Sequence, residues 1–328
     1  MTPDRPTIAP DRLERFATRT TELLDEAARA IKGQAEAMEL ILACVLARGH
    51  VLLEGVPGIA KTLMARALAH QFGVGFKRIQ FTPDLMPADI TGTRVFDFQR
   101  REFTLVKGPM FTEVLLADEI NRSPAKTQSA LLEAMQERQV TIDGESHALP
   151  TSFTVFATQN PIEQEGTYPL PEAQLDRFLF KLLVGYPDAA TEDEVIALHH
   201  AGFDGHDLAR FGLAVTSSPA ELEEMRALAQ EIHVKRELIH YAGELVRATR
   251  ASPTVQHGAG PRAGIALVQG GKAMAALRGR DFATPDDLRA IAHAVLRHRL
   301  ILHPDAEIEG TTTDEVATAV LESVDVPR

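Results

Sequence analysis

Short apolar runs alternate with longer helical stretches through the first half of the chain. Five of these runs have the length of buried strands, and they cover residues 51–53, 76–81, 114–117, 153–157 and 178–184. Helical stretches lie between several of them, notably at residues 125–137. Because buried strands that alternate with helices form parallel sheets covered on both faces, the pattern predicts an α/β fold with three layers.

Two further pairs of strand-like segments are separated by turn residues. One pair flanks a polar turn at residues 99–101, and the other flanks Asp143-Gly144. An Asp-Gly pair between two such segments is a strong signal for a β-hairpin. We therefore expect hairpin insertions near residues 92–108 and 139–149.

Helical character dominates both ends of the chain. Residues 12–47 are predicted to form two helices separated at residues 31–34, and strand signals stop near residue 188. Thr284 followed by Pro285 and two acidic residues has the composition of a helix start. The sequence therefore predicts two domains. Residues 1–188 form N-terminal helices and an α/β core, and residues 189–328 form an all-helical domain.

The net charge of the chain bears on which kinds of molecule it can bind. Acidic residues outnumber basic ones by 46 to 34, which gives a formal net charge of −12. A field of this sign repels a nucleic-acid backbone, so the composition disfavours DNA or RNA as a partner, although a local basic loop stays compatible with it. The first residues lack the apolar segment of a signal peptide, and no apolar run is long enough for a membrane span. We therefore expect a cytoplasmic protein.

A phosphate-binding pattern occupies residues 55–62, which read Gly-Val-Pro-Gly-Ile-Ala-Lys-Thr between a predicted strand and a predicted helix. It matches G-x-x-x-x-G-K-[ST] except at Ala60, which replaces the second glycine. Alanine costs little there if the residue has near-helical dihedral angles, where a methyl group is allowed. Backbone N–H groups and Lys61 would hold phosphates, and Thr62 would offer a hydroxyl to Mg²⁺. ATP and Mg²⁺ are therefore the predicted cofactors. The predicted contacts are Gly55, Val56, Pro57, Gly58, Ile59, Ala60, Lys61, Thr62 and Leu63.

Polar side chains end two other predicted strands. Asp118 and Glu119 follow the run at residues 114–117, and Asn160 follows the run at residues 153–157. Asp118 would hold Mg²⁺, directly or through water, and Glu119 would polarise the attacking water, since buried carboxylates without such a role are costly. Asn160 would hold that water. The alternatives are a helix-capping acid pair for the carboxylates and a simple turn at Asn160-Pro161.

Together these motifs resemble the AAA+ family, and closely its MoxR branch. The resembling segments are residues 55–62, 115–121, 157–161, 170–178 and 260–263. The resemblance implies a P-loop AAA+ core followed by an all-α lid, and a ring of subunits that is usually a hexamer. It also implies that Asn160 is sensor 1 and that Gly33 and Gln34 pack near adenine. Alanine at position 60 is common in that branch.

Two arginines take their roles from the same resemblance. Arg177 resembles the arginine finger that reaches the ATP of the neighbouring subunit, and Arg262 resembles sensor 2, which touches the γ-phosphate of its own subunit. From the residues alone, a surface salt bridge beside Asp176 is favoured over a finger as the explanation of Arg177. Arg262 follows Pro261 at a predicted helix start, where a cation is unfavourable, and this favours a functional reason. Arg122 is a further candidate for the subunit boundary.

MoxR proteins act as chaperone-like ATPases that mature or activate protein clients, often with partners that contain a von Willebrand factor A (VWA) domain. Metal or cofactor insertion is a common theme among them. The alternatives are the ATPase subunit of a magnesium-chelatase-like complex and a nucleic-acid motor. A scaffold that binds ATP without hydrolysis is disfavoured, because Glu119, Asn160 and Arg177 are all present.

Overall fold

The computed structural model describes residues 8–161 and 166–327. The strands, numbered along the chain, are β1 (Val51–Glu54), β2 (Phe76–Gln80), β3 (Gly92–Asp97), β4 (Glu102–Lys107), β5 (Val114–Asp118), β6 (Gln139–Ile142), β7 (Glu145–Ala148), β8 (Thr154–Gln159), β9 (Phe180–Leu183), β10 (Val255–His257) and β11 (Ile301–Leu302). The helices are α1 (Pro10–Ala30), α2 (Ala35–Leu46), α3 (Lys61–Gln71), α4 (Pro87–Thr91), α5 (Ala125–Glu137), α6 (Glu172–Leu175), α7 (Ala189–His200), α8 (Pro219–Glu231), α9 (Arg236–Ala251), α10 (Pro261–Leu277), α11 (Pro285–Leu296), α12 (Pro304–Ile308) and α13 (Thr313–Ser323).

The core is a five-stranded sheet with the strand order β2-β5-β8-β1-β9. Every pair of neighbouring strands in it is parallel, as the sequence pattern predicts, and the α/β fold class is confirmed. Side chains alternate between the two faces of a strand, so Val51 and Leu53 join one buried cluster while Leu52 joins the other. Because all five strands run the same way, the loops that follow β1, β5 and β8 meet at one edge of the sheet.

Two antiparallel hairpins extend from this core. β3 pairs with β4, and β6 pairs with β7 around a turn in which Asp143 and Gly144 have positive φ angles. The first hairpin follows α4, and the second lies between α5 and β8.

Between residues 189 and 327 the regular structure is helical apart from one short antiparallel pair, β10 with β11, and an isolated bridge between His233 and Phe282. The sequence pattern did not predict this pair, because strands of three and two residues are too short to show an alternating period. Within residues 8–161 and 166–327, no helix is long and apolar enough to cross a membrane.

A buried arginine ties the helical region to the core. Arg226 of α8 is 1% exposed, and its guanidinium donates to the Val45 carbonyl and to the Thr154 hydroxyl, both at 2.9 Å. Glu223 pairs with it at 2.9 Å and also accepts an ion pair from Arg48 at 2.7 Å. A buried charge is tolerated when it is paired and hydrogen-bonded in this way, so α8 is fixed against α2 and the start of β8.

Candidate nucleotide-binding site

A cavity of about 610 Å³ opens at the carboxyl edge of the sheet. It brings together most of the predicted site residues, namely Gln34, Pro57, Gly58, Ile59, Ala60, Lys61, Thr62, Leu63, Asp118, Glu119 and Asn160. The helical region closes one side of it with residues that include Leu198, His199 and Phe203. The predicted residues Gly33, Gly55 and Val56 are not among the lining residues and lie next to those that are.

The loop after β1 has the geometry of a phosphate cradle. Gly58 has a φ of +86°, which glycine adopts without strain. At Gly55 a Cβ atom would lie 2.3 Å from the Val184 carbonyl oxygen, so no larger residue fits there. The Lys61 ammonium donates to the carbonyl oxygens of Gly55 and Gln159, which places its charge between the ends of β1 and β8. The loop leads directly into α3, whose N-terminus carries the positive end of the helix dipole.

Ala60 does not have the near-helical backbone in which an alanine at this position costs little. Its φ of 66° and ψ of 14° are left-handed rather than helical. The loop must reverse before α3 begins at Lys61, and this position is the one that the phosphate-binding pattern reserves for glycine. An L-residue with a side chain stores roughly 1–2 kcal/mol of strain in the left-handed region.

Replacing Ala60 with glycine is therefore expected to raise the free energy of unfolding by about 0.5 to 1 kcal/mol, because relief of the strain exceeds the added entropy of the unfolded chain. Ala227→Gly is the matched control. Ala227 lies on the exposed side of α8, and the same change there should lower the stability by about 1 kcal/mol. Denaturant titration without nucleotide measures both. Equal losses in the two variants would show that Ala60 is not strained.

Both oxygens of the Asp118 carboxylate are held by side chains. Oδ1 accepts a hydrogen bond of 2.5 Å from the Thr158 hydroxyl. Oδ2 accepts two from the Arg78 guanidinium, 2.6 Å from Nη2 and 3.0 Å from Nε. The orientation of Asp118 is therefore fixed from β8 on one side and from β2 on the other.

Glu119 leaves the sheet through a strained backbone, with a φ of 55° and a ψ of 51°. Such a conformation costs about 1–3 kcal/mol in a non-glycine residue and is typical of functional sites. The Glu119 amide donates to the Thr158 hydroxyl at 2.8 Å. Its Oε2 atom accepts from Gln80 at 2.6 Å and from Arg122 at 3.0 Å. The side chain is thus engaged within the site rather than in capping the short 3₁₀ turn Ile120–Arg122 that follows.

Oxygen donors suited to Mg²⁺ lie in the same cavity. Thr62 supplies a hydroxyl and Asp118 a carboxylate, and Mg²⁺ prefers hard oxygen ligands and commonly takes others from substrate phosphates. Across residues 8–161 and 166–327, no cluster of three or more His, Cys, Asp or Glu side chains could hold a metal by itself. The donor set therefore fits a metal that is bound together with a nucleotide.

Asn160 and Gln34 both line the cavity but come from different parts of the chain. Asn160 is 6% exposed and follows β8, so its amide lies beside the ends of β1 and β5. The Gln34 amide donates to the Gly185 carbonyl at 3.0 Å. Gly33 has a φ of +69°, and a Cβ atom there would lie 2.7 Å from the Thr191 methyl carbon. The connection between α1 and α2 is thereby packed against the start of α7.

Three polar residues that hold Asp118 and Glu119 were missed in the sequence. Thr158 directly follows the apolar run of β8, while Arg78 and Gln80 lie at alternate positions of β2 and so share a face. The alternation of these two polar residues around Ile79 is the signal that would have found them.

Arg177 and Arg262 lie outside the set of residues that line the cavity. Arg177 Nη1 donates to the Leu132 carbonyl of α5 at 2.5 Å. The neighbouring Asp176 pairs with Arg299 at 2.7 Å and with Arg262 at 3.5 Å. The ion pairs of Asp176 are therefore made with two other arginines, rather than with Arg177.

Arg262 contacts Asp176 in this structure, and its sensor 2 role stays a prediction. Because α10 begins at Pro261 beside the segment that precedes β9, the Arg262 side chain meets Asp176 instead of the phosphate loop. Arg299, which is 4% exposed, also donates to the Phe178 and Leu179 carbonyls at 2.6 and 3.2 Å. Arg262 and Arg299 of the helical region thus hold the short segment that carries Arg177 through ion pairs and hydrogen bonds.

Family sequence models match this chain as an ATPase with a lid domain, and a solved structure matches it as well. The sequence model of the ATPase family associated with various cellular activities (AAA) matches residues 50–180, and that of the AAA lid domain matches residues 247–320. A crystal structure of a candidate ATPase from Cytophaga hutchinsonii superposes with a TM-score of 0.89 at 39% identity, over 97% of this chain and 98% of the other. The fold and the cavity therefore define an AAA+ ATPase.

Similar proteins of known family place the chain within one branch of the AAA+ ATPases. Chaperone MoxR1 of Mycobacterium tuberculosis is 44% identical over 92% of this chain and 81% of its own length. Protein MoxR of Methylorubrum extorquens is 31% identical over 92% of this chain and 93% of its own length. The chain belongs to the MoxR family of AAA+ ATPases. The uncharacterized protein YeaC of Bacillus subtilis is also similar, at 45% identity over 91% of this chain and 92% of its own length.

Proposed function

We propose that this chain is a Mg²⁺-dependent ATP hydrolase that works in a ring of identical copies, and that it uses hydrolysis to remodel a protein client in the cytoplasm. The observation that carries the proposal is the convergence of Lys61, Thr62, Asp118, Glu119 and Asn160 on one cavity. In this proposal residues 1–188 bind the nucleotide and residues 189–328 act as the lid.

The site residues divide the chemistry of hydrolysis among them. Backbone N–H groups of the loop and the Lys61 ammonium hold the phosphates, and Thr62 and Asp118 would hold Mg²⁺. The metal would neutralise charge that develops on the phosphate oxygens. Glu119 accepts the proton of the attacking water, and Asn160 orients that water. Gln34 and the residues of α7 surround the adenine.

Two arginines support a site that is shared between subunits. Arg177 lies beside Asp176, to which Arg262 is paired, and both arginines stand outside their own chain's cavity. We infer that this face meets the ATP of a neighbouring copy, with Arg177 as the finger and Arg262 beside it. A surface that contacts a different surface on the next copy closes into a ring, and a hexamer is the size we propose.

A protein client is supported by the relatives and by one exposed surface. One relative is named Chaperone MoxR1. In this chain the β3–β4 hairpin exposes an aromatic cluster of Phe96, Phe98 and Phe103, with ring centroids 5.3 and 5.2 Å apart. Contiguous exposed apolar surface is typical of protein interaction sites. A VWA-domain partner and a role in metal or cofactor insertion are further parts of the proposal, and the net charge of −12 disfavours nucleic acid.

ATP turnover per protomer, measured with Mg²⁺ over a wide range of protein concentration, tests the proposal. We expect the activity per protomer to rise with concentration and then level off, because each site needs a second copy. Lys61→Ala is the control, and it should abolish turnover at every concentration while leaving the fold intact, since the phosphates lose their cation. Turnover that stays constant down to concentrations where sizing shows a monomer would contradict the shared site. Absence of turnover at all concentrations would contradict hydrolysis.

A further inference from the structure

Arg78 makes a contact that none of the recognised motifs includes. It lies on β2, one of the two edge strands of the sheet, and its side chain lines the nucleotide cavity. Its guanidinium donates two hydrogen bonds to one atom, Asp118 Oδ2, at 2.6 and 3.0 Å. Asp118 is the carboxylate that the proposed function assigns to Mg²⁺, so a protein cation and the metal share one ligand group.

The register of β2 explains this placement. β2 pairs in parallel with β5, and Gln80 is directly opposite Asp118 in that ladder. Arg78 and Gln80 share one face of the strand, while Lys77 and Ile79 share the other. Arg78 Nη2 also donates to Gln80 Oε1 at 2.8 Å, and Gln80 Nε2 donates to Glu119 Oε2 at 2.6 Å. One polar chain along β2 therefore connects the two carboxylates of the site.

We propose that Arg78 is a positioning residue that orients Asp118 and competes with Mg²⁺ for its Oδ2 atom, so that it sets the Mg²⁺ concentration at which nucleotide binds tightly. This inference rests on the proposed function, which gives Asp118 its metal.

The charges determine the direction of the effect. A guanidinium at hydrogen-bond distance neutralises much of the carboxylate's negative charge, and it repels a divalent cation that approaches the same oxygen. The Arg78 side chain is 44% exposed, so solvent screens this repulsion and its effect is moderate. Removing the positive charge frees Oδ2 and strengthens the metal site. Because the side chain is partly exposed at the surface of the sheet, its replacement is not expected to disturb the fold.

The test is a Mg²⁺ titration of the binding of a fluorescent, non-hydrolysable ATP analogue, mant-AMPPNP, to the full chain. For Arg78→Gln we expect the half-saturating Mg²⁺ concentration to fall by roughly ten-fold, since one competing charge is lost. The affinity for the analogue in EDTA should stay within about two-fold of wild type, because Arg78 acts through Asp118 rather than on the phosphates. Arg78→Lys keeps the charge without the paired hydrogen bonds. Its half-saturating Mg²⁺ concentration should lie between those of wild type and Arg78→Gln.

Lys77→Gln is the matched control. It removes one positive charge from the adjacent position of the same strand, on the opposite face, and we expect the Mg²⁺ titration to match wild type. An unshifted titration for Arg78→Gln, or an equal shift for Lys77→Gln, overturns the role of Arg78. A large loss of affinity in EDTA also overturns it, because it would place Arg78 on the phosphates. If wild type bound the analogue equally with and without Mg²⁺, the proposed function would fail and this inference with it.

Discussion

Arg177→Ala is expected to lower ATP turnover by roughly 10³-fold or more while the affinity for nucleotide stays close to that of wild type. The large factor follows from the proposed role of this arginine, which stabilises the charge of the transition state in the neighbouring copy's site. The small change in affinity follows from the structure, because Arg177 does not line the cavity of its own chain. Turnover and analogue binding should be measured on the same preparation.

Arg177→Lys separates charge from geometry. Lysine keeps a positive charge but lacks the planar guanidinium, so we expect it to recover only a small part of the lost turnover. Arg177 also donates to the Leu132 carbonyl, and a purely structural role would therefore appear as lower thermal stability. A variant with reduced stability and nearly normal turnover would contradict the finger.

Glu119→Gln is expected to reduce turnover by about 10² to 10⁴-fold with nucleotide binding retained, because an amide cannot accept the proton of the attacking water. The change is isosteric, and the amide oxygen can still accept from Gln80 and Arg122. Single-turnover measurements with bound ATP isolate this step from binding.

Glu113→Gln is the control for Glu119. Glu113 stands at the opposite, amino end of β5, where its carboxylate accepts a hydrogen bond from the Gly75 amide at 3.0 Å. We expect its turnover to match wild type. Comparable losses in both variants would mean that the carboxylates act on the stability of β5, and Glu119 would not be the base.

The strands and their ends were predictable because they depend on local pattern. The strands β1, β5 and β8 each show a short apolar run, and parallel strands bring their carboxyl ends to one edge, so Lys61, Asp118 and Asn160 converge without any knowledge of the packing. The φ angle of Ala60 was not predicted from alanine itself, since its left-handed conformation is imposed by the loop.

Contacts between elements that are distant in the sequence could not be predicted from local pattern. Arg78 reaches Asp118 only because β2 pairs with β5, and this strand order is not visible in the sequence. The position of Arg262 depends on how the helical region packs, including the buried hydrogen bonds of Arg226 and Arg299. The resemblance singles out Arg262, but its contact with Asp176 depends on this packing.

Coexpression of Arg177→Ala and Glu119→Gln chains tests the shared catalytic site most directly. In a mixed ring, an interface that joins Glu119 of the first variant to Arg177 of the second has a complete site. With equal amounts and random assembly, about a quarter of the interfaces are complete, so turnover should rise far above that of either variant alone. Turnover that stays at the average of the two variants in verified mixed rings would contradict a site built from two subunits.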